Sequence, residues 1–122
     1  MAGLLEGLRV VEVATFVFAP AAGTVLTDFG AEVIHVEPPG IGDPLRHLGN
    51  LRPLPECDED YPWLLDGRNK KSIVVDLKHA DGHQVLMELI RDTDIFITNY
   101  HPSVLEQLDL TYETLAAENP SL

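Results

Sequence analysis

The sequence predicts an α/β fold: a parallel sheet with helices on its faces. Three observations predict it. Short runs rich in β-branched residues recur at strand length. Segments with apolar residues at helical spacing stand between them. The joints between strands and helices are mostly short, which makes strand–helix–strand units with parallel strands and a right-handed crossover.

The first strand is read at Leu8–Ala14, "LRVVEVA". In "FAPAAGTVLTDFG" the residues Ala22, Val25, Leu26 and Phe29 share one helical face, and Gly30 sits where a helix stops. "AEVIHVE" is the second strand, and it runs straight into Pro38-Pro39-Gly40. From about residue 38 to residue 69 the chain reads as irregular. This excursion carries six of the nine prolines and the acids Glu56, Asp58, Glu59 and Asp60, although Trp63, Leu64 and Leu65 require part of it to pack. Order returns with a third strand from about Ser72 to Leu77. A second amphipathic helix follows, with Val85, Leu86, Leu89 and Ile90 on its apolar face, and "DIFITN" is a fourth strand ending at Asn99. Pro102 suits the first position of a short helix. Thr111 suits the N-cap of a last helix, with Leu110 and Leu115 placed as a hydrophobic staple. A chain that stops after "ENPSL" leaves the sheet's next neighbour unaccounted for, so the sequence reads as the front end of a longer protein.

Bulk properties narrow the function. The 122 residues suit one domain or part of one. A net charge of -12, from 20 acids against 8 Lys and Arg, argues against nucleic acid and anionic membranes as partners. The lone cysteine, Cys57, rules out an internal disulfide, and its acidic surroundings disfavour a nucleophilic thiolate. The amino terminus lacks the basic start and unbroken apolar core of a signal peptide, and no apolar run is long enough to cross a membrane. A cytoplasmic protein is the expectation.

Two stretches could carry ligand chemistry. Four of the eight basic residues lie in "RNKKSIVVDLK": Arg68, Lys70, Lys71 and Lys78. They could meet an anionic ligand such as a phosphate, or simply be solvated around a strand. Asn99-Tyr100-His101 falls at the carboxyl end of a strand, where open α/β proteins bind ligands; the alternative is a segment that only caps and packs. His79 and His83 have chelating spacing but no supporting cluster, so a solvated helix start is the plainer reading. His35, between Ile34 and Val36, reads as a packed or edge-strand histidine. No Gly-x-Gly-x-x-Gly, Walker or Gly-x-Ser-x-Gly loop is present.

Five segments in register carry a resemblance: "LEGLRVVEV", "FGAEVIHVEPPGIGDPLR", "RNKKSIVVDLK", "NYHPSVLEQL" and "YETLAAENPSL". Together they resemble the family III CoA-transferases, the group of formyl-CoA transferase, carnitine CoA-transferase and α-methylacyl-CoA racemase. The resemblance covers essentially the whole chain. It implies a Rossmann-like amino-terminal region, residues 1–122, that binds coenzyme A or an acyl-CoA at the strand ends without a glycine fingerprint. It points to Val17 and Phe18 after the first strand, to Val75, Asp76, Leu77 and Lys78 after the basic cluster, and to Asn99, Tyr100 and His101 along the pantetheine and diphosphate. Some positions depart from the family pattern. Pro38 and Gln107 stand where arginines are common, Phe18 where a small or polar residue often stands, Ala19 where Gly precedes the proline, and Ser103 where a glycine does.

The resemblance further implies that CoA is a substrate rather than a tightly bound cofactor, with a carboxylic acid as acceptor. An aspartate nucleophile would attack the acyl-CoA thioester, giving a mixed anhydride and then an aspartyl-CoA thioester. That aspartate lies beyond the matching region, so no catalytic residue is assigned here. The full-length parent is expected to be an interlocked homodimer. Two alternatives remain open: a 2-methylacyl-CoA racemase of the same family, and a non-catalytic fragment that holds CoA or a partner.

Overall fold

The computed structural model describes residues 3–50, 55 and 57–122. Among the described residues, four strands form one parallel sheet: β1 (Arg9–Val13), β2 (Glu32–Glu37), β3 (Lys71–Val74) and β4 (Ile95–Thr98), in the order β3-β2-β1-β4. Glu12 pairs with His35 across β1 and β2, and His35 with Ser72 across β2 and β3. The two central strands are buried on both faces, which is why their sequences are near-continuous apolar runs. β3 and β4 are the edges, and β3 has two residues fewer than β2.

The helices are α1 (Phe18–Asp28), α2 (Tyr61–Asp66), α3 (Ala80–Ile90), α4 (Pro102–Gln107) and α5 (Tyr112–Glu118). One face of the sheet packs Val11, Val13, Ile34 and Val36 against Leu86 and Ile90 of α3 and against Leu110 and Leu115. On the other face Val10, Ala31 and Val33 pack with Leu8, Leu26, Ile95 and Ile97. Helices therefore cover both faces, as the alternation of strand and helix requires.

The start and stop signals act as their chemistry dictates. After α1, Gly30 adopts φ +103; its N–H reaches the Thr27 carbonyl and the Ala31 N–H reaches Leu26. That pair of bonds is a Schellman motif, and it closes the helix where the glycine stands. The Thr111 hydroxyl accepts the Thr114 N–H at 3.3 Å, and the staple residues Leu110 and Leu115 are both buried. Thr111→Ala is expected to destabilise the protein by about 1 kcal/mol, read from its urea midpoint.

Two sequence expectations are corrected. The excursion between β2 and β3 is partly ordered: Pro44–Asn50 form a 3-10 helix and residues 61–66 form α2. Within the acidic run, Asp58 and Glu59 are exposed, while Glu56 lies outside the described residues. In α1 the inward residues are Pro20, Gly23, Thr24 and Thr27, whereas Val25 and Phe29 are 49% and 51% exposed. The reason lies in the floor beneath the helix. A Cβ on Gly23 would stand 1.9 Å from Glu12 Oε2 and 3.3 Å from Lys70 Nζ. Only a small residue fits over that buried charge pair, so the small and hydroxyl face turns inward and Val25 faces outward, while Leu26 at the flank reaches the cluster of Val10 and Val33.

Candidate functional site

A cavity of about 250 Å³ opens past the carboxyl ends of β2 and β3. Val36, Val75, Leu77, Val104 and Leu108 make its wall apolar; Pro38, Tyr100, Lys78 and Gln107 complete the lining. Beyond Lys78 and Gln107 a more open groove continues past His79 and His83. An apolar slot with a cation and an amide, leading into a polar groove, suits a ligand that is apolar at one end and anionic at the other. Burial raises the Tyr100 hydroxyl above its ordinary range, and the Asp43 carboxylate adds to the effect.

The expected site residues divide by position. Val75, Leu77, Lys78 and Tyr100 line the cavity, and so do Pro38 and Gln107. Asp76 instead shapes the turn, accepting the Lys78 N–H at 3.0 Å. His101 caps α4, its Nδ1 accepting the Ser103 N–H at 3.3 Å. Val17 and Phe18 are exposed on the turn after β1, outside the cavity wall. Asn99 is spent on the backbone: its Oδ1 accepts the Thr15 N–H at 3.0 Å and its Nδ2 donates to the Thr15 carbonyl at 2.8 Å. It stitches the turns after β1 and β4 together at the point where the strand order reverses.

The basic cluster divides in the fold. Arg68, Lys70 and Lys71 stand at the amino end of β3, away from the cavity, and each is engaged by a carboxylate of the chain. Arg68 Nη2 lies 2.5 Å from Asp28 Oδ2, and Lys71 pairs with Glu32. Lys70 is buried, with its Nζ 2.9 and 3.1 Å from the Glu12 oxygens and 2.6 Å from the Pro20 carbonyl. An ammonium held this way has no free donor to offer a phosphate. Of the four cations, Lys78 alone lies at the cavity.

Sequence reasoning missed a buried polar layer beneath α1 and α2. Glu12, His35 and Glu37 project from β1 and β2 into it. His35 Nδ1 lies 2.6 Å from Glu12 Oε1, and its Nε2 lies 3.4 Å from Asp43 Oδ2, a contact too poorly aligned to count as a hydrogen bond. Arg46 grips Glu37 with two parallel bonds of 2.7 and 2.6 Å, and Ser72 Oγ donates to the same carboxylate at 2.5 Å. Burial alone would raise the Glu37 carboxyl; the bonds from Arg46, Ser72 and the Asp43 backbone override it and lower it to about 2. The Arg46 guanidinium also lies 3.7 Å over the Trp63 ring, whose centroid is 5.7 Å from that of His35. Gly42, at φ +69, permits the approach, since a Cβ there would meet Glu37 Oε2 at 2.7 Å. The available signal was positional: Glu12, His35 and Glu37 are polar residues at inward positions of strands that are otherwise apolar.

Comparison with known proteins follows the same lines. Residues 5–122 match the model of CoA-transferase family III. The succinyl-CoA–L-malate CoA-transferase alpha subunit of Chloroflexus aurantiacus is 37% identical over 97% of this chain and 27% of its own length. The cinnamoyl-CoA:phenyllactate CoA-transferase of Clostridium sporogenes is 41% identical over 98% of this chain and 29% of its own. The crystal structure of a CAIB/BAIF family protein from Brucella suis superposes with a TM-score of 0.86 at 32% identity, over 98% of this chain and 32% of that one. The chain thus spans less than a third of each of these relatives.

Proposed function

The chain belongs to CoA-transferase family III, and from that premise we propose that residues 5–122 hold the CoA part of an acyl-CoA for a parent enzyme that moves CoA to a carboxylic acid. The cavity past β2 and β3 carries this reading. Its apolar wall suits the pantetheine or the adenine face, Tyr100 offers a ring edge, and Lys78 stands at the rim where a phosphate would lie. Relatives named for succinyl-CoA, cinnamoyl-CoA, malate and phenyllactate support a thioester donor and a carboxylate acceptor. CoA enters as a substrate, so no tightly bound cofactor is invoked. The acid–anhydride chemistry is assigned to no residue of this chain. The exposed apolar face of α1 supports a parent in which further protein covers it, a homodimer in this reading. The cytoplasm is its proposed location, where a lone free thiol such as Cys57 stays reduced.

Calorimetric titration with CoA tests the reading. Saturable binding by the protein is expected, and Lys78→Ala should weaken it about tenfold, the value of one charge-assisted contact. Arg68→Gln should leave the affinity unchanged, because Arg68 is bonded to Asp28 on the far side of the sheet's edge. Equal affinity in wild type and Lys78→Ala would remove the phosphate role from this rim.

A further inference from the structure

We propose that His35, protonated on both ring nitrogens, is a positioning residue: through Asp43 it holds the Thr15–Val17 turn beside the cavity, and that turn loosens when His35 loses its second proton.

Each ring nitrogen of His35 is set against a carboxylate, Nδ1 at hydrogen-bond distance from Glu12 and Nε2 3.4 Å from Asp43 without the alignment of a hydrogen bond. Both carboxylate side chains are almost wholly buried. Ionised carboxylates only accept hydrogen bonds, so a neutral imidazole would set a lone pair against one of them. The surroundings agree: carboxyl groups of Glu12, Glu37, Asp43 and Asp60 lie in or beside this layer, against the basic groups of Lys70 and Arg46, so a positive ring is electrostatically favoured there. Burial opposes charge on the ring, but the two carboxylates prevail and raise it from 6.5 to about 8. Glu12 keeps Lys70 in either state. Asp43 is the carboxylate that depends on the imidazolium.

Asp43 in turn organises the backbone. Its Oδ1 accepts the Phe16 N–H at 3.2 Å and the Leu45 N–H at 2.7 Å, while its own N–H donates to Glu37 Oε2 at 2.8 Å. Phe16 is held at φ +65, a region that a bulky residue enters only under constraint from its surroundings. The preceding residue, Thr15, is fixed by Asn99, the neighbour of the cavity residue Tyr100. The relay therefore runs from His35 to Asp43 to Phe16, and its far end touches the segment that carries the cavity wall. The other charged or aromatic groups around it are Glu37 and Arg46 beside Asp43, Lys70 on Glu12, Asp60 at the start of α2 near Arg46, Trp63 beside the imidazole, and Tyr100, which senses the Asp43 charge.

The test is a pH titration, from about pH 6 to pH 9.5, of protein carrying isotope-labelled histidine and phenylalanine, followed by magnetic resonance. The His35 ring signal and the Phe16 amide signal should move together with a midpoint of about 8. Asp43→Asn keeps an acceptor for Phe16 but removes the charge, so both midpoints should fall toward the ordinary 6.5. A Phe16 amide that stays still while His35 titrates overturns the proposal, and so does a His35 that is neutral throughout. The wild-type titration decides this even if the variant does not fold. The effect on binding rests on the CoA reading: the CoA dissociation constant should rise severalfold across the same pH span. A constant unchanged while Phe16 moves would strip the turn of its positioning role. No CoA binding at any pH would count against the CoA reading instead, and the relay would be judged on the Phe16 amide alone.

Discussion

Lys70→Met is expected to destabilise the protein by about 3–5 kcal/mol, the cost of stranding a buried charge by removing its partner. Lys70 fits that case closely. Its side chain is 3% exposed and that of Glu12 is wholly buried. Methionine conserves the length of the stem and removes only the ammonium, so packing is nearly unchanged. What remains is a carboxylate under α1, shared with His35, with one negative charge uncompensated. A urea series on Lys70→Met, Glu12→Gln and the double variant would give the coupling directly. The double variant should recover a large part of the loss, because no charge is then stranded. If Lys70→Met alone costs less than about 1 kcal/mol, water or a shifted side chain is neutralising Glu12 and the buried pair is not what it appears in the structure.

Gly82→Ala has the second large effect, about 3 kcal/mol of stability together with a loss of CoA affinity. A Cβ at this position would stand 2.1 Å from the Asp76 carbonyl oxygen and 2.8 Å from its carbon. The obstacle is backbone, so no rotamer change relieves it, and overpacking of this kind costs about 1–3 kcal/mol or more. Either α3 or the turn after β3 must move. That turn carries Leu77 and Lys78 into the cavity, and its Asp76 side chain fixes the Lys78 N–H. Denaturation and CoA titration of the same variant should therefore both shift. A drop in stability with unchanged affinity would mean that α3 yields and the turn holds.

How far the sequence could be read is clearest in particular residues. Thr111, Leu110, Leu115, Pro102 and Gly30 announce their roles because capping, stapling and helix stopping are local: each depends on partners within a few residues. The paired parallel strands were legible for the same reason, through apolar runs at strand length. Helix α1 was legible as a helix but not in its facing. Its inward side is decided by Glu12 and Lys70, and Lys70 comes from 50 residues further along the chain than Pro20, whose carbonyl it meets. The surroundings of the basic cluster were not legible, because clustering in sequence does not fix which carboxylate each side chain meets. In the fold Arg68, Lys70 and Lys71 turn to three different carboxylates, at Asp28, Glu12 and Glu32. The family resemblance pointed to Leu77, Lys78 and Tyr100, and the fold sets all three in the wall of the cavity past β2 and β3. The strand-end position of Asn99 was legible, but nothing in "TNYHP" shows that its amide faces Thr15.

The Asn99–Thr15 stitch spans 84 residues of sequence. Closing a loop of that length costs on the order of 4 kcal/mol of chain entropy before any contact repays it. β1 can meet β2 through the single crossover of α1, but it meets β4 only after the whole intervening chain has found its place. The turn beside the cavity therefore acquires its final shape only once β4 has docked beside β1. A growing polypeptide emerging from the ribosome would carry the first two strands, and even Lys78, well before it possessed a pocket. The shape of that turn is a property of β1 and β4 together and of neither strand alone.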